Sequence, residues 1–282
     1  MKFIDGKKIA AKKLVGVKDI ASQLDAEPAL AVVLIGDDPA SHLYVKLKER
    51  AAKKIGVELR KYTFNTDISM DEVKSAIEFL NKDVDTNGII VQLPLPEQLD
   101  VDEVIGFIDP EKDVDGFHKV NQERFLNNKE CIYPVFPNAI MSLVDSELES
   151  LENKKVTIIG KSDVFDNVMT HAFKVEGANV KFISCINKDE FSTSEQLSIN
   201  ESDVVVTACG KKNLLSCDLI SDNTIIIDGG ISKDGDKTVG DVDIIDCEDR
   251  EIIISPVPGG VGPVTIACLL ENIVELTKRQ SS

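Results

Sequence analysis

One lysine lies where a helix is expected to bury apolar side chains. Asp38 is a typical N-cap and Gly56 a typical stop, so the spacing predicts a helix between them. At about 100° per residue, Lys48 falls on the apolar side with Tyr44 and Leu47, while the other charged residues fall opposite. Burial lowers the pKa of a lysine and makes its amine a proton-transfer group near neutral pH. A paired or snorkelling lysine is the alternative.

Two further polar features lie at the ends of predicted elements. Gln92 closes the apolar run that begins at Gly88, and the two prolines that follow break the strand. Asp113 and Asp115 point the same way in an extended segment. They do not fit a calcium loop, which needs glycine and glutamate at its sixth and twelfth positions. Gln92 either satisfies loop backbone or reaches a ligand, and the carboxylates either cap a loop or accept hydrogen bonds from a ligand.

Composition limits the classes of protein. The 282 residues, 43% hydrophobic and 29% charged, are typical of one large globular domain or two ordinary ones. A net charge of −17 argues against a general nucleic-acid binder, and no apolar segment approaches the roughly 18 residues of a membrane span. The N-terminal segment lacks the apolar core of a signal peptide. Six cysteines without a Cys-x-x-Cys pair, and three histidines without ligand spacing, predict buried free thiols and a reduced, cytoplasmic, metal-free protein.

Strands and helices alternate along both halves of the chain. The first half is predicted to hold strands at 29–35, 57–64 and 88–93, with helices at 7–25, 38–55, 70–81 and 101–108. The second half is predicted to hold strands at 155–160, 179–186, 203–207, 224–227 and 251–255, with helices at 138–150, between Gly160 and Gly177, and at 264–279. This order predicts an α/β protein with two domains, a three-layer N-terminal one and a Rossmann-like doubly wound one, with a cleft between them.

Five stretches together resemble the bifunctional methylenetetrahydrofolate dehydrogenase/cyclohydrolase family. They are DPASHLYVKLKERAAKKIGV, GIIVQLPLPEQL, PEKDVDGFH, DGGISKDGDKTVGDVD and PVPGGVGPVTIACLLEN, and they follow the family order. The resemblance implies a folate-binding catalytic domain at 1–136 with 264–282, and a dinucleotide-binding domain at 137–263. It also implies tetrahydrofolate one-carbon derivatives as substrates, NADP as cofactor and a homodimer. The composition predicts no metal, nucleic-acid or membrane partner.

The resemblance assigns roles by position. Lys48 matches the proton-transferring lysine, Gln92 the glutamine that tunes it, Tyr44 the tyrosine that packs on the folate, and Asp115 the carboxylate that holds the pterin amino edge. The other implied substrate-binding residues are Val91, Leu93, Pro258, Gly259, Gly260, Val261 and Gly262. The implied cofactor-binding residues are Gly160, Lys161, Ser162 and Ile231.

The cofactor loop departs from the family pattern. Where the family usually reads Gly-Arg-Ser-x-x-Val-Gly-x-Pro, this chain has Phe165, Asp166 and Val168 at the last three specified positions. Asp166 adds a negative charge where a phosphate is expected. The family's Cys-His-Ser-x-Thr aligns on residues 183–187, and its Pro-Cys-Thr-Pro on residues 134–137, both altered.

These departures predict a cyclohydrolase whose dehydrogenase activity is weak or absent. The alternatives are the full bifunctional enzyme and a non-catalytic folate- or nucleotide-binding protein. NADP is favoured over NAD, since no acidic residue ends the second strand of the nucleotide domain to hold a free ribose 2′-hydroxyl, and Lys161 is near in sequence to the cofactor loop.

Overall fold

The computed structural model describes residues 1–188, 190–235, 237–247 and 249–281. In chain order, the helices are α1 (Gly6–Ala21), α2 (Pro39–Ile55), α3 (Met70–Lys82), α4 (Val101–Gly106), α5 (Lys119–Leu126), α6 (Val135–Val144), α7 (Asp163–Val175), α8 (Thr193–Asn200) and α9 (Val261–Gln280). The strands are β1 (Lys2–Phe3), β2 (Ala29–Ile35), β3 (Glu58–Phe64), β4 (Gly88–Val91), β5 (Lys155–Gly160), β6 (Asn179–Ser184), β7 (Val204–Ala208), β8 (Leu215–Ser216), β9 (Ile225–Asp228), β10 (Ser232–Asp234), β11 (Lys237–Val239), β12 (Val242–Asp243) and β13 (Ile253–Ile254). Short 3-10 helices cover Cys217–Leu219 and Ile245–Cys247.

The chain divides into two compact units. Residues 11–136 and 266–282 form the three-stranded unit, and residues 1–10 and 137–265 form the six-stranded unit. The sequence predicted the first ten residues in the other unit. They belong to the six-stranded unit because β1 pairs in parallel with β13 through Lys2 with Ile253 and Phe3 with Ile254.

The three-stranded unit is a parallel sheet in the order β3-β2-β4. All seven residues of β2 are buried, as its unbroken apolar sequence predicts. From β2 the chain moves first to β3 on one side and later to β4 on the other. The carboxyl ends of β2 and β4 therefore meet at a topological switch point, where open α/β sheets bind their ligands.

The six-stranded unit is a parallel sheet in the order β1-β13-β9-β7-β5-β6. From β5 the chain moves to β6 on one side and then to β7 on the other, so a second switch point lies at the carboxyl end of β5. The predicted two-domain α/β architecture, with its parallel nucleotide-type sheet, is confirmed. The sequence did not predict β1, α5, α8 or the β10–β11 hairpin, which are short and carry weak apolar periodicity.

The cysteine prediction was wrong for four of the six residues. Disulfides join Cys185 to Cys209 and Cys217 to Cys247, because the sheet brings together loops that are 24 and 30 residues apart in sequence. Within the described ranges, no group of three or more His, Cys, Asp or Glu side chains has a metal-binding arrangement. In the same part of the chain, no helix is long and apolar enough to cross a membrane.

Candidate active site

Helix α2 carries Lys48 on its buried face. The Asp38 carboxylate accepts a hydrogen bond from the Ser41 backbone N–H at 2.7 Å and so caps the helix. The buried residues of α2 are Ser41, Val45, Lys48, Ala52 and Ile55. Lys48 is only 8% exposed and lies at the centre of this stripe. The prediction that Leu47 shares the buried side was wrong, because Leu47 is 39% exposed.

Gln92 holds the buried amine at the switch point. The Lys48 ammonium Nζ donates to Gln92 Oε1 at 3.0 Å. The Gln92 side-chain Nε2 donates to the Leu93 carbonyl at 2.7 Å, which orients the amide with its oxygen toward the lysine. The Gln92 backbone N–H donates to the Val33 carbonyl at 2.9 Å, so the residue continues the pairing of β4 with β2 by one position. The buried Val91 precedes it, and a cis peptide bond joins Leu93 to Pro94.

The two carboxylates of the Asp113–Asp115 segment have different environments. The Asp113 carboxylate accepts from three groups, the Gly116 N–H, the His118 N–H and the Asn121 amide, at 2.8–3.1 Å. These contacts show that the Asp113 carboxylate stabilises the loop in which it lies. No group within the described residues donates a hydrogen bond to the partly buried Asp115 carboxylate, so its oxygens are available to a ligand.

Burial and mutual attraction set the charges of the site. Burial lowers the pKa of the Lys48 amine, and the charge of Asp115 acts in the opposite direction by favouring the ammonium. Burial also raises the pKa of Asp115 to about 6, against the attraction of Lys48 and with the repulsion of Asp113. Tyr44, one turn before Lys48, has a raised pKa through burial and keeps its phenol protonated. The site thus combines a lysine amine of lowered pKa with a carboxylate that titrates near neutral pH.

The altered Pro134–Pro137 stretch packs against this same carboxylate segment. The Val135 N–H donates to the Asp115 carbonyl at 3.1 Å. A Cβ atom at Gly116, whose φ is +78°, would lie 2.9 Å from the Pro134 Cα. Residues 134–136 belong to the three-stranded unit, together with the Asp115–Gly116 segment that they contact.

The predicted Pro258–Gly262 loop belongs to the six-stranded unit and is shorter than expected. Val261 and Gly262 lie in the first turn of α9, where backbone N–H groups have no intrahelical partner and Pro263 is tolerated. The Gly260 N–H donates to the Pro256 carbonyl at 2.7 Å. A Cβ atom at Gly6 would lie 2.0 Å from the Gly260 carbonyl oxygen, so the start of α1 supports the loop by close backbone contact. Sequence reasoning missed Gly6.

The predicted cofactor residues surround the carboxyl end of β5. Ser162 caps α7 by accepting from the Phe165 N–H at 3.1 Å. A Cβ atom at Gly160 would lie 2.4 Å from the Phe165 ring, so this position requires glycine. A Cβ atom at Gly210 would lie 3.2 Å from the Ile231 carbonyl and 3.7 Å from the Lys161 Nζ, so Lys161 and Ile231 converge on Gly210. A glycine-ended strand, a capped helix start and a nearby ammonium fit a dinucleotide phosphate.

Two buried aspartates, Asp241 and Asp228, stabilise the loop that contains Gly210. The Asp241 carboxylate accepts from the Thr207 hydroxyl, the Cys209 N–H and the Lys211 N–H at 2.6–2.7 Å. The Asp228 carboxylate accepts from three backbone N–H groups, those of Gly230, Asp241 and Val242. Burial raises the pKa of Asp228 to about 7, although these donors lower it. In the sequence, Asp228 and Asp241 belong to the DGG and GDVD motifs. The motifs alone do not show that the two aspartates interact.

Two parallel sheets with a buried lysine at one switch point and a glycine-ended strand at the other define a two-unit α/β protein of the dinucleotide-dependent type. Two family models cover most of this chain: tetrahydrofolate dehydrogenase/cyclohydrolase, catalytic domain, at residues 4–115, and the NAD(P)-binding domain of the same family at residues 134–281. The chain belongs to this family.

Relatives match it end to end. The bifunctional protein FolD of a Nitratiruptor species is 36% identical over 99% of both chains. The crystal structure of the bifunctional methylenetetrahydrofolate dehydrogenase/cyclohydrolase from Campylobacter jejuni has a TM-score of 0.91 with 36% identity over 99% of both chains. The Trypanosoma brucei dehydrogenase-cyclohydrolase, solved with NADP and an inhibitor, has a TM-score of 0.90 with 27% identity, covering 99% of this chain and 98% of that one.

Proposed function

We propose that the chain hydrolyses 5,10-methenyltetrahydrofolate to 10-formyltetrahydrofolate and also oxidises 5,10-methylenetetrahydrofolate with NADP at a lower turnover. The proposal rests on one observation. At a switch point of this family member, a buried lysine amine donates a hydrogen bond to Gln92, and the charge of Asp115 favours its protonated form. A non-catalytic binding protein has no need of a buried amine of lowered pKa, because burying such a group costs free energy.

The hydrolysis needs one group that both accepts and returns a proton. Water oxygen bonds to the bridging carbon of the methenyl cation, one carbon–nitrogen bond breaks, and the released ring nitrogen takes one of the two water protons. The other water proton leaves to solvent as the formyl C=O forms. The neutral Lys48 amine accepts a proton from the water, and the resulting ammonium returns it to the nitrogen. Such a group works best when its pKa lies near the working pH, and burial lowers the pKa of Lys48 in that direction.

The neighbouring residues are proposed to hold the substrate. Tyr44 offers a ring face one turn from the amine, and Asp115 offers carboxylate oxygens to the amino edge of a pterin. Val91 and Leu93 flank Gln92 on the same strand end. The family resemblance also assigns substrate contacts to the backbone of the Pro258–Gly262 segment. The contrast between the occupied Asp113 and the available Asp115 supports this assignment.

NADP supplies a hydride acceptor when bound, and Gly160, Lys161, Ser162 and Ile231 are proposed to hold it. Lys161 contributes the positive charge for a phosphate. Asp166 lies in the first turns of α7, where its carboxylate accepts from the Thr170 hydroxyl at 2.7 Å. A carboxylate at this end of a helix repels a phosphate that would use the same helix N-terminus, which supports the lower dehydrogenase turnover. A homodimer is proposed from the family alone.

The test separates the two activities and the role of Lys48. Methenyltetrahydrofolate absorbance is followed with enzyme alone, and methylenetetrahydrofolate oxidation with NADP and with NAD. We expect Lys48→Met to lower hydrolysis by about 10²–10⁴-fold, the range of general acid–base catalysis, while folate binding persists. Lys46→Met is the matched control, since Lys46 is exposed on the same helix. Unchanged hydrolysis in Lys48→Met refutes the assignment, and oxidation as fast as hydrolysis refutes the lower turnover.

A further inference from the structure

A disulfide crosses the carboxyl end of β5. Strands β6 and β7 flank β5 on opposite sides, so the loops that follow them leave the sheet on either side of Gly160. Cys185 comes directly after β6 and Cys209 directly after β7. Their Cα atoms are 6.3 Å apart, within the usual range for a disulfide, and the sulfurs are bonded. The bond therefore spans the switch point of the six-stranded unit.

A second contact joins the same two loops. The Lys211 ammonium donates to the Lys188 carbonyl at 2.6 Å, from the loop after β7 to the loop after β6. The Cys185 N–H also donates to the Gly160 carbonyl at 2.9 Å, which ties the first loop to the end of β5. We call residues 185–188 and 209–211, with these links, the strap.

The two sides of the strap differ in how firmly they are held. The side after β7 is fixed, because the buried Asp241 carboxylate accepts from the N–H groups of both Cys209 and Lys211. The side after β6 contains Ile186, which is 57% exposed. The same side is also held by the Cys185–Gly160 and Lys211–Lys188 hydrogen bonds and by the ion pair of the Lys188 ammonium with Glu195. Once the disulfide is broken, residues 185–188 can move away from the end of β5 only if these weaker links also break.

We propose that Cys185 and Cys209 form a reversible disulfide that controls dinucleotide binding, and that the oxidised, closed strap binds the dinucleotide more weakly than the reduced one. The inference rests on the proposed use of NADP by this unit. A dinucleotide in an open α/β sheet occupies the crevice outside the carboxyl ends of the strands at the switch point. The strap draws together the two loops that border this crevice, so opening it is needed for full access.

The redox step is a thiol–disulfide exchange with a small-molecule disulfide such as glutathione disulfide. Because Cys185 and Cys209 are only 4% and 1% exposed, residues 185–188 must first move to expose a cysteine. One cysteine thiolate then attacks the small disulfide, forms a mixed disulfide and releases one thiol. The second cysteine then attacks the protein-bound sulfur and releases the other thiol. The cysteine pair loses two electrons and two protons, and the small disulfide gains them. An excess of the small thiol reverses the exchange.

The second disulfide provides a matched control. Cys217 and Cys247 are as buried as the strap pair, but they lie on the two 3-10 helices. The Kd of NADP is measured by calorimetry on the full chain, after glutathione disulfide and after a phosphine reductant. The proteins compared are the wild type, Cys185→Ser/Cys209→Ser and Cys217→Ser/Cys247→Ser. Methenyl hydrolysis and peptide mapping of the cross-links are recorded on the same samples.

We expect reduction to tighten NADP binding about tenfold in the wild type and in Cys217→Ser/Cys247→Ser, which lies within the usual range for coupling between two sites. The Cys185→Ser/Cys209→Ser protein is expected to bind equally in both conditions. By linkage, saturating NADP is expected to shift the wild-type pair toward the dithiol by the same factor.

Several results overturn the inference. They are equal or weaker NADP binding after reduction of the wild type, a redox effect that survives in Cys185→Ser/Cys209→Ser, or no Cys185–Cys209 cross-link after oxidation. NADP binding in neither state overturns the dehydrogenase part of the proposed function together with the inference. Binding in both states with one Kd overturns the inference alone.

Discussion

Gln92 is expected to set the pH at which Lys48 works. Within the described residues, its Oε1 accepts the one hydrogen bond that the Lys48 ammonium makes, at 3.0 Å. A hydrogen bond to a charged group is worth about 1.5–3 kcal/mol, and one pKa unit corresponds to about 1.4 kcal/mol. Replacing Gln92 by methionine removes the acceptor and nearly preserves the length of the side chain. The pKa of Lys48, already lowered by burial, is expected to fall by about a further 1–2 units.

Gln92→Glu provides the opposite perturbation. A carboxylate at the same distance favours the ammonium, and an opposite charge this close raises the pKa of Lys48 by about 1–3 units. The substitution also replaces the Nε2 donor that now bonds the Leu93 carbonyl at 2.7 Å. Two oxygens then face each other, so Gln92→Glu is expected to be less stable than Gln92→Met toward urea.

The assay is the pH dependence of methenyl hydrolysis, followed by absorbance and corrected for the uncatalysed reaction. The limb of kcat/KM that reports Lys48 is expected to move to lower pH in Gln92→Met and to higher pH in Gln92→Glu, relative to the wild type. A limb that stays in place in both variants, or moves in one direction in both, refutes the reasoning. A general loss of rate without a shift shows instead that Gln92 only positions the substrate.

Three further predictions concern the six-stranded unit. Burial raises the pKa of Asp228 to about 7, so the folded state binds a proton more tightly than the unfolded chain. The contribution of this residue to stability therefore falls as pH rises from about 4 to 7. The difference in unfolding free energy between the wild type and Asp228→Asn is expected to vary across that range, and a constant difference contradicts this prediction. Gly6→Ala places a Cβ atom 2.0 Å from the Gly260 carbonyl oxygen and is expected to cost about 1–3 kcal/mol in urea unfolding, whereas Gly16→Ala, with nothing within 4 Å, is expected to be neutral or stabilising; equal costs refute the contact. Asp166→Gly removes a carboxylate from the start of α7 and is expected to lower the Kd of NADP. An unchanged Kd at low salt contradicts this prediction.

The placement of Lys48 beside Gln92 could be predicted from the sequence because it follows simple rules. An N-cap, a helical period and an apolar run place Lys48 and Gln92 at one strand edge, and the parallel order of the strands brings those edges together. The rotation of α2 was less predictable, since Leu47 and Val45 are both apolar and only packing decides which is buried. The different environments of Asp113 and Asp115 depend on which backbone N–H groups surround each carboxylate, and that is set by the loop rather than by spacing.

The contacts that the sequence did not reveal all join distant segments. Gly6 meets Gly260, and Cys185 meets Cys209, because the strand order of the six-stranded unit brings their loops together. A count of cysteines cannot give this pairing, and it favoured free thiols because no two cysteines were close in sequence. Strand β1 was missed because two residues carry no periodicity. In each case the missing information was the order of the strands in the sheet.

The departures from the family pattern affect the two switch points unequally. At the end of β2 the lysine, the glutamine and the available carboxylate are all retained, and the altered residues 134–136 pack against the backbone of Asp115 and Gly116. At the end of β5, Phe165 and Asp166 change the helix start, and Cys185 stands within the altered 183–187 stretch and bonds the neighbouring loop. Because these changes lie around the end of β5 and leave the proposed proton-transfer groups intact, we expect them to affect hydride transfer more than hydrolysis. We therefore expect the ratio of the two activities, rather than the hydrolysis itself, to be the property that varies with redox state in this protein.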